Sequence, residues 1–128
     1  MSAIFLRKEE LLAIQHRLID ESGGSHGILN EGALESAIVS VENRVHYEDA
    51  DVVACASTYL WHITQSHAFV DGNKRIGAAA MEIFLDANGW EIDADDDQLF
   101  DLVMSIAAGE RSRDDTDAWL RLRVHRAR

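Results

Sequence analysis

Across 128 residues the chain contains no proline, and in one segment after another its apolar side chains recur three and four positions apart. Proline breaks a helix by steric clash and by loss of a donor, whereas apolar residues at that spacing line one helical face. Together the two features predict an all-α fold and exclude a turn-rich β-sandwich. The length suits a single domain over 1–128, large enough to bury roughly two-thirds of the surface its unfolded chain exposes.

Six helices are expected. Leu11, Leu12, Ile14, Leu18 and Ile19 mark the first, which Gly23-Gly24 ends. Asn30 caps a second carrying Leu34, Ile38 and Val41, and Asn43–Ala50 reads as a polar connection. Asp49 or Asp51 opens the third, whose residues Val52, Ala56, Tyr59, Leu60 and Ile63 form a wide apolar stripe suited to the domain centre. The fourth runs from Lys74 to an Asn88-Gly89 cap, and its Gly77, Ala78, Ala79 and Ala80 let the third helix approach closely. Leu99, Leu102, Val103 and Ile106 define a fifth helix that starts in the acidic run Asp93–Asp97. After Ser112 the last segment alternates almost like a strand through Trp119, Leu120, Leu122 and Val124, but its Asp-rich start favours a sixth helix.

Charge narrows the function. A formal net charge of −11 speaks against a surface that coats phosphates, so no direct nucleic-acid binding is expected. The lone Cys55 cannot form an internal disulfide. The N-terminal residues lack a signal-peptide pattern, and no apolar run approaches the ~20 residues that span a bilayer. A cytoplasmic protein without a membrane association is expected. Between Val45 and Glu110 there are thirteen acidic residues and two basic ones, Lys74 and Arg75, which are neighbours.

That pair closes the segment His67-Ala68-Phe69-Val70-Asp71-Gly72-Asn73-Lys74-Arg75, a loop feeding a helix N-terminus. Helix starts present unpaired N–H groups and partial positive charge, a geometry that receives phosphate oxygens. Gly72 lets the backbone approach an anion, and Asn73 can cap the helix while shaping the anion nest. Lys74 and Arg75 add two cations where the helix dipole disfavours them, which suggests a bound anion. Asp71 offers a hard oxygen for Mg²⁺ beside the phosphates. His67 is the group able to take a proton from an attacking hydroxyl near neutral pH, while Phe69 serves as a core anchor.

The segment resembles the Fic motif, His-x-Phe-x-(Asp/Glu)-Gly-Asn-(Gly/Lys)-Arg, at seven defined positions. Phe5–Ile14, Gly32–Ile38 and Ala118–Leu120 resemble the family's opening, second and closing helices. Lys74, where nucleotidyl-transferring Fic enzymes usually carry glycine, is similar to the Doc (death-on-curing) branch of toxins from toxin–antitoxin pairs. Ala78 stands where many nucleotidyl-transferring members carry a second arginine for the γ-phosphate, which again favours the Doc branch. Gly72, where the type member of that branch has alanine, leaves AMP transfer open.

The resemblance implies a six-helix bundle with the active-site loop between two central helices and a short flap. It implies ATP and Mg²⁺ as cofactors, and an enzyme that moves the γ-phosphoryl group to a hydroxyl of a translation component, by family analogy elongation factor Tu. AMP transfer to a protein hydroxyl and a non-catalytic antitoxin-binding module are the alternatives. His67, Lys74 and Arg75 would be catalytic, with Gly72, Asn73, Lys74 and Arg75 binding nucleotide and Asp71 the metal. An antitoxin and a protein substrate are the expected partners. By its position in the chain, Asn43–Ala50 corresponds to the family's flap, and Val45, His46 and Tyr47 are expected to dock the acceptor as an exposed edge.

Overall fold

The computed structural model describes residues 3–128. Six helices and one two-stranded ribbon follow in the order α1 (Lys8–Ser22), α2 (Glu31–Glu48), α3 (Val52–Ser66), α4 (Asn73–Ala87), β1 (Trp90–Ile92), α5 (Asp96–Ala107), α6 (Arg113–Arg121) and β2 (Val124–Arg126). The expected all-α class holds. Among the described residues no helix is long and apolar enough to cross a membrane.

Local chemistry sets the helix starts. The side chains of Asn30, Asp51, Asp95 and Ser112 each accept an N–H of the first turn that follows, from Ala33, Ala54, Gln98 and Asp115. Gln98 and Asp115 reach back to the backbone N–H of Asp95 and Ser112, completing two capping boxes. Gly89, with φ of +80°, follows α4 in the left-handed conformation expected of Asn88-Gly89.

α3 is the hub. Val53 through Leu60, Ile63 and Thr64 are all buried, and α2, α4, α5 and α6 pack around it. Its closest neighbour is α4, because Gly77 places no side chain between the two backbones. A Cβ built on Gly77 lies 2.6 Å from Thr64 Oγ1, 3.1 Å from the Leu60 carbonyl oxygen and 3.3 Å from the Thr64 nitrogen. Backbone atoms cannot swing aside, so Gly77→Ala should destabilise the domain by about 1–3 kcal/mol through overpacking, although alanine is the better helix former by up to ~1 kcal/mol. The urea midpoint reads the sign, and a raised midpoint would show that the two helices separate freely.

Two expectations need correction. Asn43–Ala50 is not a connection: α2 continues to Glu48 and reverses at Asp49, whose φ is +53°. The buried stripe runs Leu34, Ala37, Val41 and then Arg44, so a charged residue takes the next inward position. Arg44 makes a two-pronged ion pair with Asp117 of α6, one bond being 2.9 Å, and donates to the Ala54 carbonyl oxygen and Thr58 Oγ1. The sixth helix stops at Arg121, and Val124–Arg126 pairs antiparallel with Trp90–Ile92 in the register Ile92↔Val124. Arg123 stacks over the Trp119 ring at 3.9 Å, and its carbonyl accepts the Asp93 N–H, which fixes the turn into the ribbon.

Candidate active site

The site starts where α3 ends. Its C-cap is His67, with φ of +49°; Asp49 is the other non-glycine at positive φ among the described residues. Such a conformation is uncommon outside glycine and is sustained by its surroundings. Ser66 Oγ accepts the Ala68 N–H at 3.1 Å, and the next two residues, Ala68 and Phe69, are buried. The imidazole itself is exposed at the rim.

Asn73 does not cap α4. That position falls to Gly72, at φ +86° and ψ +11°, which puts Asn73 on the first helical turn. From there its amide turns back and clasps the loop, accepting the Phe69 N–H and donating to the Phe69 carbonyl, both at 3.0 Å. Because Gly72 has no side chain, the N–H groups at the start of α4 receive no side-chain cap, in contrast to α2, α3, α5 and α6. Lys74 and Arg75 are exposed on this uncapped turn. Partial and full positive charges therefore converge with no acidic side chain in the first turn to offset them.

His67, Asp71, Gly72, Asn73, Lys74 and Arg75 line one open cleft of about 420 Å³. Thr64 of α3 also lines it, with its Oγ1 buried and free of any hydrogen-bond partner among the described residues. The α4 end of the loop thus offers amides and cations to an anion, and His67 stands at its α3 end in the same cleft. Asp71 uses Oδ2 to accept the Ser25 N–H at 2.9 Å, which leaves its second oxygen for a cation. A single carboxylate beside an anion site is a donor set that fits Mg²⁺ completed by phosphate oxygens and water.

Sequence reading missed what holds the loop from outside. The segment between α1 and α2 runs alongside it: Leu29 and Asn30 donate to the Ala68 carbonyl at 2.8 and 3.0 Å, and Val70 donates to the Gly27 carbonyl at 3.1 Å. These bonds bracket an antiparallel bridge between Ile28 and Phe69. The pairing turns the N–H and C=O of Ile28 away from the loop as a free edge. Buried Gln15 of α1 locks the arrangement, donating to the carbonyls of Gly27 and Asp71 at 3.0 and 3.3 Å and accepting the Gly27 N–H at 3.2 Å. No short-range spacing marks Gln15, because its partners lie 12 and 56 residues away.

Val45, His46 and Tyr47 are elsewhere. They form the last turns of α2, none lines the cleft, and a helix has no extended edge to offer a peptide. Tyr47 is 78% exposed and contacts the His46 ring edge-on.

The sequence pattern of the Fic/DOC family matches residues 5–85. A protein kinase doc from Escherichia phage P1 is 36% identical over 105 residues, covering 81% of this chain and 82% of its own length. A toxin Doc from Mycolicibacterium smegmatis is 32% identical over 102 residues, covering 77% of this chain and 78% of its own.

Proposed function

The chain belongs to the Fic/Doc family, and from that premise we propose that it is a Doc-like toxin, a cytoplasmic kinase that moves the ATP γ-phosphoryl group to a protein hydroxyl. The observation that carries this reading is the uncapped start of α4, with Lys74 and Arg75 on its first turn and His67 in the same cleft. Lys74 and Arg75 hold phosphate oxygens together with the amides of the turn that Gly72 opens and Asn73 clasps. One turn along α4, Ala78 offers no second phosphate ligand, which favours phosphoryl over AMP transfer. Mg²⁺, bound by Asp71 and phosphate oxygens, would supply charge neutralisation.

His67 accepts the proton of the acceptor hydroxyl as that oxygen bonds to the γ-phosphorus. The bond from phosphorus to the bridging oxygen breaks, and ADP leaves. Positioning and charge stabilisation do most of this work. The acceptor segment lies along the free edge of Ile28 rather than at Val45–Tyr47, since Ile28 is paired directly to the loop that carries His67. A translation component of the elongation factor Tu kind is the proposed acceptor, and an antitoxin the proposed partner that silences the enzyme.

ATP labelled at one phosphorus at a time separates the chemistries. Incubation with a cell extract should transfer label from the γ position into a protein band and none from the α position. Label from the α position would assign AMP transfer instead. No label from either, with growth arrest intact in a His67→Ala strain, would leave a non-catalytic binding module.

A further inference from the structure

Away from the cleft, three ligand-bearing side chains meet at the end of α1. His16 and Asp20 lie one helical turn apart on the same face, and His26 reaches them from the segment that follows the helix. Asp20 places one oxygen 3.1 Å from His16 Nδ1 and the other 2.9 Å from His26 Nε2, and the two imidazole rings are 4.3 Å apart. Their ligating atoms all fall within 4.8 Å of one another.

We propose that His16, Asp20 and His26 form a binding site for a borderline divalent metal ion of the Zn²⁺ class. Two imidazole nitrogens and one carboxylate suit Zn²⁺, which takes N and O donors at ~2.0–2.2 Å, whereas Mg²⁺ and Ca²⁺ prefer oxygen alone. Three protein ligands leave a fourth position to water. The approach needed is small, because the ligating atoms already lie within 4.8 Å of one another and all three side chains are exposed.

The placement gives the ion a structural consequence. His26 belongs to the segment whose Ser25 N–H binds Asp71 and whose Gly27–Asn30 backbone pairs with Ala68 and Val70. Binding at His26 adds a second tie between that segment and α1 beside the one Gln15 makes, so the metal stiffens the edge beside the catalytic loop. Metal binding itself is independent of which group the enzyme transfers.

Zn²⁺ titrated calorimetrically into the chelator-stripped protein should show one saturable site per chain, not displaced by excess Mg²⁺. His26→Ala should weaken it by at least about tenfold, and the His16→Ala/His26→Ala double variant should abolish it without changing the urea midpoint of the metal-free protein. Amide exchange at Ser25–Leu29 should slow when Zn²⁺ is added. Absence of a stoichiometric site, or equal binding by the double variant, overturns the assignment. Binding that leaves exchange at Ser25–Leu29 unchanged overturns the stiffening.

Discussion

His67→Ala should reduce transfer by about 10²–10⁴-fold, the usual cost of losing a general base, while ATP affinity stays within a few-fold of the parent. The phosphate contacts are assigned to α4, and His67 sits at the end of α3, so one can be removed without the other. Folding should be spared, because the ring is exposed. Alanine is less at ease than histidine at positive φ, so the urea midpoint should be recorded beside the rate. Wild-type transfer by a folded His67→Ala protein would remove His67 from the mechanism.

The largest effect on stability is expected at Arg44. Its side chain is 7% exposed, its partner Asp117 is 16% exposed, and the pair joins α2 to α6 across the base of α3. The hydrogen-bonded carboxylate of Asp117 holds the guanidinium above its ordinary range against the opposing effect of burial. Removing one member leaves the other charge buried and uncompensated, which typically costs ~3–5 kcal/mol. Arg44→Met should therefore lower stability by about that amount, a large share of the ~5–15 kcal/mol of a typical domain. Pairing it with Asp117→Leu should restore much of the loss, since an apolar pair avoids the desolvation of two ions. A loss below ~1 kcal/mol in Arg44→Met would mean that water reaches the guanidinium.

Arg44 also shows where sequence reading runs out. A helix face is recognised by apolar spacing, and an arginine that buries its stem and forms a fixed ion pair with a residue 73 positions away breaks that pattern without breaking the helix. The same blindness made Val45–Tyr47 look like an exposed loop. Trp90–Ile92 and Val124–Arg126 were illegible for another reason: three-residue strands are too short to show a period, and only their pairing defines them.

Helix starts were legible because a cap is a local event, one side chain accepting an N–H three residues on, as Asn30, Asp51 and Asp95 do. The chemistry-bearing residues were legible because they are contiguous. His67 to Arg75 form one run, and the fold brings seven of its residues to one cleft with little more than a turn of chain. The residues that hold the run in place were not. Gln15 acts through its side-chain amide on groups 12 and 56 residues away, and Ser25 and the Gly27–Asn30 stretch act through backbone groups, where residue type is weakly constrained. Asn73 lies between the two cases: its importance was visible, but its task depended on Gly72 adopting positive φ and taking the cap position.

On the proposed mechanism the start of α4 holds the nucleotide phosphates. Titrating Mg-ATP into isotopically labelled protein and following backbone amides tests it directly. The largest shifts should fall at Gly72 through Arg75, with smaller ones at His67 and Asp71, and the ribbon at Trp90–Ile92 should not respond. Saturable binding that leaves Gly72–Arg75 unperturbed while shifting another surface would contradict it.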